Sequence, residues 1–249
     1  MPIESTFSPT EGILSPTHMM KPIPGFPETV LITFSDRMEA KLEETHDCTV
    51  IGTLRAGDTR PIRKFTHNGK EMGMYRTGLG GPAAAALMEE VIVMGAKRIF
   101  VFGSCGTLTD GIAAGKLILP THAYRDEGTS YHYCPAGDFI DVPTCAELAN
   151  VMDALHVPCV LGKTWTTDAF YRETREAMEK RVQMGCICVE MECASLMAVG
   201  AFRHIPVYQF FYAADSLSGD AWEQRILGTE ARDIKDALLK IALDAAAML

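Results

Sequence analysis

Residues 188–196 read CVEMECASL, and two glutamates, Glu190 and Glu192, flank Met191. They stand where a strand-like apolar run (184–189) passes into a helix-like run of small residues (193–202). Carboxylates at such a junction either hold a substrate or place favourable charge at a helix start. Asp215 ends another apolar run, VYQFFYAAD. A carboxyl at the mouth of a buried strand is partly desolvated, which raises its pKa and suits general-acid work; alternatively it caps the next segment. Arg225, ten residues on, is a candidate partner for it. Two glycine turns, TGLGGP (77–82) and GSCG (103–106), offer backbone N–H groups to an oxyanion, or are tight turns and nothing more. They contribute Gly80 from the first, and Ser104, Cys105 and Gly106 from the second. TTDAFY (166–171) presents Phe170 and Tyr171, either for stacking on a planar ring or as an aromatic hinge.

The 249 residues are 47% hydrophobic and 22% charged, a globular balance with room for one α/β domain and a large core. The net charge of −9 and the lack of long basic runs disfavour nucleic acid and anionic membranes as partners. No apolar run reaches the ~20 residues of a membrane span. The N-terminus lacks the basic start and apolar core of a signal peptide, so a cytoplasmic protein is expected. Eight cysteines occur with no CxxC pair and no zinc-like spacing. They read as small buried hydrophobes in a reducing compartment rather than disulfides or metal ligands.

These residues must be positioned by elements. Residues 1–28 are proline-rich and read as an extended arm, packed on the domain or on a neighbouring subunit. Strands are expected at 29–34, 71–78, 97–106, 115–120, 158–165, 186–189 and 205–215. Helices fit 36–46, 81–96, 144–155, 172–184, 191–203 and 228–248. The alternation predicts a single three-layer α/β domain over 29–249, with a largely parallel or mixed sheet. Ligands of such sheets sit beyond the carboxyl ends of the strands, where the residues above fall.

The blocks TGLGGPAAA, VFGSCGTL, GTSYHY, TTDAFY, CVEMECASL and the terminal AAD occur here in one order. With them the chain resembles the nucleoside phosphorylase/uridine phosphorylase superfamily, which also holds the methylthioadenosine and S-adenosylhomocysteine nucleosidases. The resemblance spans roughly residues 15–248. It implies a mixed, distorted, barrel-like β-sheet flanked by helices, and cleavage of a nucleoside N-glycosidic bond without metal or organic cofactor. Phosphorylases of this kind use inorganic phosphate as co-substrate and give ribose 1-phosphate; nucleosidases use water.

By position, Met191 and Glu192 are similar to the family's ribose-binding pair, and Glu190 to the acid beside base and sugar. Phe170 matches the residue packed on the base, and Asp215 the acid that meets a purine at N7. The uridine-cleaving branch usually lacks that Asp, so purines are favoured. Arg172 and Arg175 keep pyrimidines open. His18 resembles an N-terminal histidine that reaches a neighbour's site to bind the 5′-hydroxyl. That implies a homodimer or a trimer of dimers with shared sites. Ser104 and Gly80 match the phosphate-binding turns. The family's PGDPxR loop is replaced by TFSDRMEAK (33–41), and its second phosphate arginine by Val101. Arg55, Arg60 or Arg63 is then the candidate arginine lent by a neighbour. Phosphorolysis of a purine-leaning nucleoside is the first expectation. Hydrolysis is the second, and a non-catalytic nucleoside-binding protein the third.

Overall fold

The computed structural model describes residues 2–57 and 59–249. The proline-rich start contains a 3₁₀ turn (Pro2–Ser5) and a short helix, α1 (Pro16–Met19), rather than a wholly extended arm. Met20 and Phe26 are buried, and Ile23 donates its N–H to Met94 O at 3.0 Å. The segment thus packs on its own domain, while Ile13 and Leu14 remain exposed.

Strand β1 (Thr29–Thr33) is buried along its whole length. Burying Val30, Leu31 and Ile32 stabilises the fold by about 1.5–3 kcal/mol each. Ser35 then caps α2 (Asp36–Thr45) by accepting from Met38 N at 3.4 Å. Next come β2 (Thr49–Leu54), β3 (Arg60–His67) and β4 (Lys70–Arg76), followed by α3 (Gly81–Met94) and β5 (Arg98–Thr107). β6 (Leu117–Asp126), α4 (Ser130–Tyr133), β7 (Phe139–Asp141), α5 (Cys145–Ala154) and β8 (Cys159–Thr167) continue the chain. It finishes with α6 (Arg175–Gln183), β9 (Cys186–Glu190), α7 (Cys193–Arg203), β10 (Val207–Ser216) and α8 (Arg232–Met248).

The strands form one mixed sheet in the order β10-β6-β8-β9-β5-β1-β4-β3-β2, with β7 on β6. An additional pairing of β10 with β5 closes β5, β10, β6, β8 and β9 into a five-stranded barrel. β5 and β10 run parallel, and every residue of β10 is buried, which is why its sequence is mostly apolar. α7 packs against α3 and is buried from Cys193 to Gly200. Its run of small residues, Cys-Ala-Ser, lets it lie close to the barrel.

Several expectations change, among them the helix expected over 228–248, which begins at Arg232, and the strand expected over 115–120, which runs Leu117–Asp126. GSCG is not a turn: Gly103–Gly106 lie inside β5, with Ser104 beside Tyr212 and Gly106 beside Asp215 in the β10 register. Asp215 likewise lies within β10 and caps nothing. The helix expected from residue 172 begins at Arg175, after a 3₁₀ turn at Phe170–Arg172. No helix among the described residues is long and apolar enough to cross a membrane.

Candidate active site

The carboxyl ends of β5, β9 and β10 open onto a cavity of about 630 Å³, within the size range of small-ligand sites. Its walls include Ser104, Cys105, Gly106, Phe170, Tyr171, Glu190, Met191, Glu192 and Asp215. Nine residues singled out in the sequence therefore meet in one space.

Glu190 and Glu192 part company here. Oε2 of Glu190 accepts from the N–H groups of Glu192 (2.8 Å) and Cys193 (2.7 Å). Oε1 accepts from the hydroxyls of Thr166 (2.6 Å) and Thr164 (3.3 Å). Thr166 Oγ1 in turn accepts from Ala194 N at 3.0 Å. Glu190, two residues before the helix boundary, thus satisfies orphan N–H groups of α7 and ties the helix to β8. Burial pushes its carboxyl up to about 7, although these donors pull it back. Glu192 spends one oxygen on Gly80 N, at 2.6 Å. Burial first, then the charge of Glu190, lifts it to about 8. It faces the cavity beside Met191, an arrangement able to hold vicinal hydroxyls.

Gly80 therefore gives its N–H to Glu192 and does not offer it to an anion. GSCG pairs with β10 along one edge, and the hydroxyl of Ser104 is a further donor lining the cavity. Phe34 lies just after β1, in the stretch TFSDRMEAK. Its ring lies so close to Gly103 that a Cβ there would meet Phe34 Cδ2 at 2.8 Å. On the other side of Phe34 lies a second cavity of about 170 Å³, lined by Ser35, Asp36, Ser104, Tyr212 and Lys235 among others.

Asp215 is buried, and burial raises its carboxyl, while the indole of Trp222 and the charge of Arg225 pull it down. Trp222 Nε1 donates to Asp215 Oδ2 at 2.8 Å. Arg225 makes no hydrogen bond to Asp215. It donates instead to Glu223 Oε2 (3.1 Å), Thr107 Oγ1 (3.4 Å) and Ile112 O (2.9 Å), because the chain between them folds the indole inward. The rings of Phe170 and Tyr171 lie tilted at 39° to each other, 4.0 Å between centroids, and are exposed at the rim.

Several expected residues lie elsewhere. His18 is exposed on α1, where its Nδ1 accepts from Ser15 N at 3.1 Å. Arg37, nearest in sequence to the lost loop arginine, is drawn to Asp236 of α8 at 2.7 Å. Arg63 pairs with Glu39 and Glu43. Arg60 lies at the start of β3 and, like Arg55, does not line the cavity. Arg175 donates to Leu217 O (3.3 Å) and Gly219 O (2.5 Å), which removes it from a base-reading role. Sequence reasoning missed Glu173, Trp222, Leu79, Leu217 and Leu227, all of which line the cavity. Only the closeness of Trp222 to Asp215 in sequence pointed to any of them.

The model of the Phosphorylase superfamily matches residues 29–247. A DeoD-type purine nucleoside phosphorylase of Aliivibrio fischeri is 24% identical over 243 residues, covering 95% of this chain and 99% of that protein. The purine nucleoside phosphorylase of Toxoplasma gondii, solved with immucillin-H, superposes with a TM-score of 0.76 at 20% identity. It covers 90% of this chain and 91% of its own. An AMP nucleosidase of Bacteroides thetaiotaomicron superposes at 0.70 and 20% identity, covering 90% and 88%. By fold, by the carboxylates gathered at the strand ends and by the match of its sequence, this chain belongs to the phosphorylase superfamily.

Proposed function

We propose that this protein cleaves the N-glycosidic bond of a purine-leaning nucleoside, with water as nucleophile, releasing free base and ribose. One observation carries the reading. Every charged residue among the described lining of the cavity is a carboxyl: Glu173, Glu190, Glu192 and Asp215. A ribosyl oxocarbenium is stabilised by such a wall, whereas a phosphate dianion needs charge-assisted donors there. Glu192 holds the sugar hydroxyls, Phe170 and Tyr171 cover the base, and the carboxyl of Asp215 faces a purine ring nitrogen. Nucleosides fit the carboxyl-and-aromatic lining better than nucleotides do, whose phosphate would enter the same field.

This ordering reverses the first expectation from sequence; beside the carboxyl wall, the ring of Phe34 packs directly on Gly103. Phosphorolysis is the second reading, favoured by the position of Ser104 on both cavities and of Lys235 in the smaller one. Base release from a purine and pyrimidine nucleoside panel, followed by HPLC, tests the proposal. Release is expected from purine nucleosides. Release from uridine alone would overturn the base preference, and release from none would overturn the function.

A further inference from the structure

The base end of the cavity carries a carboxyl that the resemblance does not point to. Glu173 follows the 3₁₀ turn at Phe170–Arg172 and precedes Thr174, whose side chain caps α6 by accepting from Ala177 N at 3.3 Å. Its own N–H is fixed to Phe170 O at 3.3 Å. The next residue, Arg175, is fastened to the carbonyls of Leu217 and Gly219, just beyond Asp215. The backbone around Glu173 is therefore braced on both sides, and the side chain lines the same cavity as Asp215 and Trp222. Among the described residues its carboxyl has no hydrogen-bond partner.

We propose that Glu173, not Asp215, is the acid that protonates the leaving base. Two carboxyls facing one cavity cannot both carry charge cheaply, so one of them favours keeping its proton. Which group keeps it is decided by their partners. Asp215 accepts the Trp222 indole N–H at 2.8 Å and feels Arg225, both of which favour its charged form. Glu173 has neither, and burial followed by the charge of Asp215 lifts it to about 7. A general acid works best with a pKa near the operating pH.

The step balances as follows. The C1′–N bond breaks and its electron pair goes to the base. The Glu173 carboxyl proton moves to a ring nitrogen of the base, leaving a Glu173 carboxylate. A water oxygen bonds to C1′, and the proton this water loses restores Glu173. This assignment rests on the glycosidic-cleavage reading above.

The test compares the full-length wild type, E173Q and D215N on a purine nucleoside and on 4-nitrophenyl riboside, whose phenolate leaves without a proton. E173Q is expected to lower kcat/KM on the nucleoside by about 10²-fold or more, the scale of general-acid catalysis. It should change the nitrophenyl riboside rate less than about threefold, which also reports that the variant is folded. The fall in nucleoside cleavage above about pH 7 should vanish in E173Q and persist in D215N. Equal losses on both substrates, an unchanged nucleoside rate, or loss of the alkaline limb in D215N alone would overturn the assignment. A wild type that cleaves no nucleoside sinks the functional reading itself, which distinguishes the two failures.

Discussion

Replacing Glu192 by Gln keeps an oxygen for the Gly80 N–H but puts an amide in place of the second oxygen facing the sugar. Nucleoside cleavage should fall about 10²-fold or more, with the fold retained, by analogy with the loss of one transition-state contact. Steady-state base release with a circular-dichroism melt checks both halves. Glu190→Ala should behave oppositely. It strands the N–H groups of Glu192 and Cys193 and the hydroxyls of Thr164 and Thr166, so a loss of about 3 kcal/mol is expected in urea unfolding. The sequence exposed both carboxyls as unusual, since acids rarely end buried strands. Their division of labour was not legible. It depends on which oxygen each neighbouring N–H meets, a matter of ångströms at the start of α7. Glu173 and Trp222 stayed hidden for a related reason: a 3₁₀ turn and an irregular loop bring them in, and neither has a periodicity to read.

At the scale of elements, the site depends on how closely α3 and α7 pack. A Cβ built on Gly81, the first residue of α3, would lie 2.2 Å from Ser195 Oγ on α7. Ser195 is itself held by Glu127 at 2.5 Å, within a buried group that includes Ser130 and Arg125. Gly81→Ala should therefore cost about 1–3 kcal/mol through overpacking, and because Gly80 feeds Glu192, weaken nucleoside affinity too. Thermal unfolding and a KM measurement read the two effects. The strands that carry the site were legible because β1 and β10 are buried throughout and β5 almost so, and their sequences are mostly apolar. The β2–β3 hairpin was not. It is an outer part of the sheet, with Arg60, Pro61, Arg63 and Lys64 in one strand, and its composition reads as loop.

At the scale of the whole molecule, burying several carboxyls in one cavity ties stability to pH. The ordinary glutamate value is 4.5, and in the folded state Glu190 and Glu192 stand at about 7 and about 8. The folded chain holds those protons more tightly than the unfolded chain. Their contribution is thus complete below about pH 4.5 and is lost as pH rises through 7 and 8. E192Q should accordingly be more stable than wild type at about pH 9, and the gap should close towards about pH 5, as urea midpoints at the two pH values would show. The same carboxyl wall underlies the functional claim: a field that suits an oxocarbenium and admits neutral water more readily than phosphate. The most direct test incubates the protein with a purine nucleoside, with and without inorganic phosphate, and identifies the sugar product. Free ribose is expected, at a rate independent of phosphate. Ribose 1-phosphate formed only when phosphate is present would contradict it.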